Sequence, residues 1–316
     1  MTDLSYFGRQ GNLLVASAGE AIDLSEFRFR FEVSQSDVMT PNGFYARVYN
    51  LSDRVVQAII AGKNGMSEFT RVVLQAGYKN GAVGVIFDGT IKQVGRGKEN
   101  NVDSYLDIWA SEADLPYCFG TVATTVGANA TPDQILAAAA ATVAQYGIKL
   151  SDNVGLIGGT LPRGKVLYGL SKEYFRTLGQ TTGSTISFQD GKIVVIHLTG
   201  YLPGEVVVLN SQTGLIGIPE TTQNGVMATA LLNPLLRIGG RVKINNHDIN
   251  QTVVTNVALQ ALDGMKFFAS TQADGIYRIS EIDYEGDTRG NPWYCRLTAL
   301  AIDPSSAPGS SVKKYG

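Results

Sequence analysis

The feature that most constrains the fold is a strict alternation of apolar and polar residues in the segment Glu26–Ser34, EFRFRFEVS. The apolar side chains occupy every second position from Phe27 to Val33, and charged or polar residues fill the positions between them. Successive side chains of an extended chain point to opposite faces, so this period of two predicts a half-buried β-strand.

Many other segments have the composition of strands. Pro41-Asn42-Gly43 supplies a turn, after which Phe44–Asn50 alternates again as a hairpin partner for the first strand. Runs rich in β-branched or aromatic residues, separated by clusters of Gly, Asn and Pro, predict the further strands. These are Phe69–Ala76, Ala82–Val94, Val102–Ala110, Thr185–Gln189, Lys192–His197, Glu205–Leu209, Gly225–Leu232, Gly240–Ile244, Met265–Ser270, Gly275–Tyr284 and Trp293–Ile302. Between Thr185–Gln189 and Lys192–His197, the pair Asp190-Gly191 predicts a two-residue hairpin turn.

Three helices are predicted between these strands. Ser52 is an N-cap for a short helix with apolar residues at helical spacing up to Ile60. Thr131 begins the best-marked helix, because the order T-P-D-Q is a capping box with proline in the first turn. A third helix is predicted over Ser171–Thr181.

The order of these elements predicts a β-dominated α+β protein with two antiparallel β-barrel domains around a mixed helical and hairpin middle domain. We place the first barrel, with one helix, at residues 1–125 and the middle domain at 126–203. The second barrel takes residues 204–303, and a loose Ser-, Gly- and Pro-rich tail takes 304–316.

A weak internal parallel suggests that the two β regions are copies of one barrel. The first has Ile86-Phe87, Gly95-Arg96-Gly97 and a strand that ends near Trp109. The second has Ile276-Tyr277, Arg289-Gly290 and a strand that begins at Trp293.

Composition excludes several functional classes. The chain has 26 Lys and Arg against 28 Asp and Glu, a formal charge of −2, so it lacks the basic field that binds nucleic acid or anionic lipid. Cys118 and Cys295 lie far apart and form no CxxC pair, which favours synthesis in a reducing cytoplasm. We expect no signal peptide in Met1–Gly19 and no membrane anchor, since the run Ile135–Ala144 is too short to span a bilayer.

Motifs for catalysis or cofactor binding are missing from the sequence. The chain has two histidines, His197 and His247, and neither lies in a patterned set of nucleophile and carboxylate. G-x-S-x-G, H-E-x-x-H and P-loop motifs do not occur, and the glycine-rich order GLIGGTLPRG at residues 155–164 predicts a loop. We therefore expect no enzyme activity, no catalytic residues and no cofactor.

An acidic run offers a candidate cation or acid–base site. Asp283, Glu285 and Asp287 form D-x-E-x-D, whose alternation would project three carboxylates from one strand face toward a hard cation such as calcium. The same carboxylates could act as the acid–base pair of a glycoside hydrolase. The alternative is a solvated hairpin end whose turn is held by Asp287 and Arg289, and we expect no metal site.

A set of arginines could serve as a platform for single-stranded nucleic acid. The set is Arg28, Arg30, Arg47 and Arg71, which lie on predicted polar strand faces among Tyr45 and Tyr49. Because the chain is acidic and the arginines merely alternate, the simpler interpretation is a sheet surface that faces solvent or another subunit.

Several local orders resemble the tail hub proteins of contractile-tailed phages. The first barrel would contain FRFRFEVSQSDVMTPNGFYARVYNLS, VVLQAGYKNG and VIFDGTIKQVGRG. The later parts would be LYGLSKEYFRTLGQTTG, TGLIGIPETTQNGVMATALLNPLLRIGGRVKI and DGIYRISEIDYEGDTRGNPWYCRLTAL. The similarity spans about residues 26–303 and keeps its order along the chain.

This resemblance implies a structural virion protein of the tail baseplate. In that family two barrels, each similar to a tail-tube subunit, flank a helical insertion, and three chains close a ring of six barrels. Such a homotrimer joins a six-fold tail tube to a three-fold spike, with baseplate wedge proteins around it and DNA passing through its lumen during genome ejection. The alternatives are a carbohydrate-directed hydrolase or adhesin built from β domains, and a six-fold tail-tube or distal-tail ring subunit.

Overall fold

A computed structural model describes residues 6–17, 20–61, 70–151, 155–222, 225–245 and 275–302. The predicted strand Met265–Ser270, His247 and the tail 304–316 lie outside these residues. In the described part of the chain, every helix is too short or too polar to cross a membrane.

The described chain contains eighteen strands and four α-helices. The strands are β1 (Arg9–Ser17), β2 (Glu20–Asp23), β3 (Phe29–Ser36), β4 (Gly43–Tyr49), β5 (Arg71–Tyr78), β6 (Val83–Lys98), β7 (Ser104–Ser111), β8 (Thr121–Val126), β9 (Lys149–Leu150), β10 (Lys165–Leu170), β11 (Ser184–Gln189), β12 (Lys192–His197), β13 (Val207–Leu209), β14 (Leu215–Thr222), β15 (Gly225–Leu231), β16 (Arg241–Ile244), β17 (Ile276–Asp287) and β18 (Trp293–Ala301). The helices are α1 (Asp53–Ala61), α2 (Asp114–Phe119), α3 (Pro132–Val143) and α4 (Ser171–Thr182).

The alternating segment forms the predicted half-buried strand. In β3 the side chains of Phe29, Phe31 and Val33 are buried, whereas the residues between them face away from the core. β3 pairs antiparallel with β4, with Val33 opposite Phe44. The first hairpin therefore follows from the sequence pattern alone.

The predicted helices and the tight hairpin also form. Thr131 caps α3 and completes the capping box with Gln134. Gly183 ends α4 in the left-handed conformation, with φ of 61°. Asp190 and Gly191 both have positive φ, as the two-residue turn between β11 and β12 requires.

One large sheet of thirteen strands dominates the molecule. Its main path runs β14-β15-β18-β17-β3-β4-β7-β6-β5-β1-β2, and β16 and β13 branch from β17. The link between early and late strands is the antiparallel pair β3 and β17, in which Glu281–Asp287 lies beside Arg30–Ser36. Residues more than 240 positions apart thus share one continuous sheet.

The same strand order occurs twice in this sheet. Hydrogen-bonded neighbours run β3-β4-β7-β6-β5 in the first half and β14-β15-β18-β17-β16 in the second. Each copy has one extra residue on its longest strand, Lys92 in β6 and Ser280 in β17. The residue before each extra residue makes the same kind of contact. The Ile91 amide donates to the Thr70 carbonyl at 2.8 Å, and the Ile279 amide donates to the Gly240 carbonyl at 2.9 Å.

Aligning these extra residues corrects the parallel inferred from the sequence. Tyr105 of β7 is equivalent to Tyr294 of β18. Tyr105 lies opposite Gly97 and Tyr294 lies opposite Glu285, and Gly97 and Glu285 each follow the extra residue by five positions. Trp109 is equivalent to Thr298, so the two tryptophans do not correspond. A closer sequence match is RVVL in β5 and RVKI in β16, which occupy equivalent positions beside β6 and β17.

Two hydrophobic cores lie in the described chain. One draws on residues 13–110 and 209–299 together, so the first and last parts of the chain share a core. The other lies within residues 122–195, where α3 and α4 pack on β8 and β11. The two cores do not test the predicted domain boundaries, which remain a prediction.

Strand ends differ from the sequence-based expectation. The predicted break at Gly95–Asn101 is wrong in its first part, because β6 continues to Lys98 in register with Ser104 of β7. The sequence pattern did not predict strands β1, β2, β8, β9, β10 and β14. The loop at residues 155–164 is a loop, as expected.

Candidate functional site

The candidate functional surface is the side of the large sheet that points away from the core. It comprises the outward side chains of β18, β17, β3, β4 and β7, and we call it the outer face. Its members are Tyr294, Arg296, Asp283, Glu285, Arg30, Glu32, Tyr45, Arg47, Tyr105, Asp107 and Trp109.

Carboxylates pair with every arginine of the predicted nucleic-acid platform. The ion pairs are Arg28–Asp287, Arg30–Glu99, Arg47–Asp107 and Arg71–Asp88. Arg47 donates two hydrogen bonds to the Asp107 carboxylate, at 2.6 and 2.8 Å, and stacks 3.7 Å from the centre of the Tyr105 ring. Because these positive charges are compensated, the set fits the simpler interpretation, a sheet surface that faces solvent or another subunit, better than a nucleic-acid platform.

The acidic run of β17 is spread along the outer face. Glu285 lies 3.4 Å from Arg296 on the neighbouring strand. Asp287 accepts hydrogen bonds from Arg28 and from the backbone amides of Arg289 and Gly290, so it holds the turn between β17 and β18. Burial raises the pKa of Asp287, but these hydrogen bonds outweigh burial and lower it below its ordinary value.

The three carboxylates are not gathered into a cluster of metal ligands. Within the described ranges, no group of three or more His, Cys, Asp or Glu side chains is arranged to hold a metal ion. The structure instead shows the alternative considered for this run, in which Asp287 fixes the turn.

A shallow groove of about 410 Å³ follows the β3–β17 junction. Glu32 of β3 lies directly opposite Glu285 of β17, with Tyr45 on one side and Tyr294 on the other. The groove is partly open to solvent.

His197 has a structural position at the end of β12. Its Nδ1 lies 3.0 Å from the Thr199 hydroxyl, and its backbone carbonyl accepts a hydrogen bond from Arg278 at 2.9 Å. This is the strand-end position that the sequence favoured.

A buried ion pair joins three parts of the chain. Arg278 of β17 donates to Asp37, just after β3, at 3.0 Å, and to the carbonyl of His197. Its side chain is 1% exposed and that of Asp37 is 9% exposed. Burial raises the pKa of Asp37 to about 6, Arg278 opposes this rise, and Glu281 adds to it.

A second buried polar cluster attaches the part of the chain that holds the second hydrophobic core, residues 122–195, to the large sheet. We call this part the middle region. The Asn42 side chain donates to the carboxylate of Glu112 at 2.8 Å and to the side-chain oxygen of Gln189 at 2.9 Å. The Gly191 amide donates to Glu112 at 3.0 Å, and Gln189 donates to the carbonyl of Ser36 at 2.6 Å. The turn between β11 and β12 is therefore held against the hairpin of β3 and β4.

We expect Glu112 to make stability depend on pH. Burial raises its pKa to about 7, against 4.5 ordinarily; hydrogen bonds from Asn42 and Gly191 oppose this rise, and Asp190 and Asp88 add to it. The folded state therefore binds the proton more tightly than the unfolded state. This contribution to stability is fully present below about pH 4.5 and is lost as the pH rises through 7, by on the order of 3 kcal/mol.

Glu112→Gln removes this titration. In urea unfolding measured from pH 5 to 8, the difference in unfolding free energy between wild type and variant should change in favour of the variant as pH rises. Equal slopes in the two proteins would contradict the assignment.

Local sequence patterns carry no signal for either polar cluster. Asp37, Asn42 and Glu112 stand singly at strand ends, where polar residues are usually solvated, and the side chains that pair with them lie at least 70 positions away along the chain. Only the packing of the middle region on the sheet buries them.

Comparisons with known proteins give structural likenesses without sequence matches. No family model matches the sequence, and no curated protein matches it. The 43 kDa tail protein of prophage MuSo2 from Shewanella oneidensis is 9% identical, with a TM-score of 0.59 over 94% of this chain and 99% of that one. The tail protein from Neisseria meningitidis MC58 is 9% identical, with a TM-score of 0.55 over 93% and 96%.

A third solved structure comes from a secretion machine. It is an E. coli protein described as a component of the type VI secretion system with structural similarity to T4 bacteriophage tail proteins gp27 and gp5. It is 10% identical, with a TM-score of 0.52 over 90% of this chain and 75% of that one. The resemblance inferred from the sequence is thus confirmed at the level of the fold: this chain folds as phage tail proteins do.

Proposed function

We propose that this chain is a structural baseplate hub protein of a phage tail or a related contractile injection machine. The observation that carries the proposal is the duplicated strand order, joined into one sheet through β3 and β17. A chain with two equivalent units can present six units in a ring of three copies, and so can connect a six-fold tube to a three-fold spike. The partners would be the tail tube, the spike and surrounding baseplate proteins.

The charges of the outer face suit the lining of such a ring. Its arginines are paired with carboxylates, while Glu32 and Asp283 add negative charge. A lumen lined by this face would not hold the phosphates of passing DNA. The proposed location is therefore the virion tail, with DNA as a transient passenger.

The likenesses in fold support a structural role over an enzymatic one. The rival hydrolase or adhesin would use Asp283, Glu285 or Asp287, and these lie on an open face where Asp287 holds a turn. A Glu285→Gln variant separates the two roles, because we expect it to retain assembly. Loss of a glycan-directed activity with assembly retained would favour the rival.

The proposal is tested by the particle that the full chain forms at high concentration. Negative-stain images viewed end-on should show a ring with a central hole, and sedimentation should give the mass of three chains. Six chains per ring would favour a tail-tube or distal-tail subunit instead. A compact particle with the mass of one chain would contradict the homotrimer.

A further inference from the structure

The small sheet of β8 and β10 has one buried face and one exposed face. Val122, Val126 and Leu167 pack into the second core, where α3 lies against β8. The side chains that alternate with them face away from this core, and we call them the β8–β10 face. Its members pair across the two strands: Thr121 with Leu170, Ala123 with Tyr168 and Thr125 with Val166.

The β8–β10 face is apolar on one strand and small on the other. On β10, Val166 is 67% exposed, Tyr168 is 80% exposed and Leu170 is 37% exposed. The matching positions of β8 hold threonine, alanine and threonine, so the large side chains of β10 have open space beside them over β8. Apolar side chains gathered on one exposed surface mark a site of interaction.

The fold closes the free edge of β10. The Tyr174 hydroxyl accepts a hydrogen bond from the Tyr168 amide at 2.8 Å and donates one to the Tyr168 carbonyl at 3.1 Å. Both backbone groups of Tyr168 therefore point away from β8. Residues opposite each other in an antiparallel pair either both bond across the pair or both point outward, so Ala123 turns its amide and carbonyl away from β10.

The free edge of β8 is open. The residues with outward backbone groups are Thr121, Ala123 and Thr125, and their side chains are exposed. Within the described ranges β8 pairs with β10 alone, and the amides of Ala123 and Thr125 have no hydrogen-bond partner. Outward groups of one strand repeat about every 7 Å, a spacing that an extended polypeptide matches with its own backbone groups.

Cations flank the β8–β10 face at both ends. Arg163 and Lys165 lie at the start of β10, and Lys172 follows its end. None of the three forms an ion pair with a carboxylate in the part of the chain that the structure describes, and the Lys172 ammonium lies 4.2 Å from the centre of the Tyr117 ring. A polypeptide with Asp or Glu at its ends would complement these charges.

We infer that the edge of β8 takes up an extended segment of another protein as an antiparallel strand, with apolar residues at alternate positions and acidic residues at both ends. The apolar side chains would lie over Ala123 and against Tyr168, and the carboxylates would lie near Lys165 and Lys172. The inference goes beyond the proposed function, because it uses no strand of the large sheet and does not depend on ring assembly.

A fluorescent synthetic peptide, Asp-Val-Thr-Val-Thr-Val-Glu, is the probe, and fluorescence anisotropy measures its binding to the full chain. In an antiparallel pair, the residues that bond to β8 place their side chains on the β8–β10 face, so the valine amides point toward β8. N-methylation of the central valine keeps its side chain and removes one such amide, and we expect binding at least about tenfold weaker. The peptide Lys-Val-Thr-Val-Thr-Val-Lys should also bind at least about tenfold more weakly at low salt.

Ala123→Pro tests the edge from the side of the protein. Proline removes an amide that points away from β10, so the ladder of β8 and β10 is kept. Ala123→Ser keeps the amide and is the matched control. We expect Ala123→Ser to bind the acidic peptide like wild type and Ala123→Pro to bind it at least about tenfold more weakly, with circular dichroism confirming that both variants fold.

Equal binding of the acidic peptide to wild type and to a folded Ala123→Pro variant would overturn the inference, as would no binding to wild type at about 1 mM. Equal binding of the acidic and lysine-ended peptides would overturn the charge assigned to the partner. Sedimentation without peptide examines the other occupant of the edge. Self-association of wild type that Ala123→Pro abolishes would show that a second copy takes the edge, against the assignment to another protein.

Discussion

Replacing Trp293 with alanine is expected to lower the free energy of unfolding by about 3–5 kcal/mol. Trp293 is 1% exposed and is the largest fully buried side chain of the core shared by the early and late strands. Its ring lies 5.5 Å from that of Phe31 in an edge-to-face contact and packs over Gly11 and Gly286. Alanine would leave a cavity where β18, β3 and β1 meet.

Trp109→Ala is the matched control for this prediction. Trp109 is 39% exposed on the outer face, so its loss should cost about 1 kcal/mol. Urea unfolding followed by circular dichroism measures both variants. Similar losses in the two variants would show that Trp293 does not hold the early and late strands together.

Replacing Arg278 with methionine is expected to cost about 3–5 kcal/mol, because it leaves the Asp37 carboxylate buried without its cation. The variant also lacks the hydrogen bond that Arg278 donates to the His197 carbonyl, so contacts of both the large sheet and the middle region are lost. Burial raises the pKa of Asp37 to about 6 even beside Arg278, and loss of this cation raises the pKa further. The variant should therefore recover part of its stability when the pH is lowered and the carboxyl takes up a proton.

The double variant Asp37→Leu with Arg278→Met tests where the instability of Arg278→Met comes from. The two possible sources are the loss of the ion pair itself and the cost of leaving the Asp37 carboxylate buried without a cation. Apolar replacement of a whole buried pair is often nearly neutral, so the double variant should be more stable than Arg278→Met alone. Thermal unfolding at pH 7 measures this difference. A double variant as unstable as the sum of its single variants would show that the two side chains act independently.

Local patterns determined the elements that carry a complete signal within a few residues. Period-two alternation identified β3, the T-P-D-Q order identified the start of α3, and Asp190-Gly191 identified the hairpin of β11 and β12. In each case, nearby residues supply both the propensity and the boundary.

Elements whose signal is spread over the fold were missed. β14 contains Gly217 and Pro219, which are usually read as breaks, and β6 runs through Gly95 and Gly97 because β7 pairs with it along its length. Propensity cannot anticipate such strands, since partners far along the chain decide them.

The sequence by itself determined that this is a β-rich chain with little net charge, without catalytic motifs, and similar in its local orders to phage tail hub proteins. Only the tertiary structure decided that its two β regions repeat one strand order, share a core and join through β3 and β17. It also decided that the arginines of the outer face are neutralised and that Asp37 and Glu112 are buried. The physical reason is distance along the chain: these pairings join residues that no local pattern relates, and burial and charge compensation arise only when they meet.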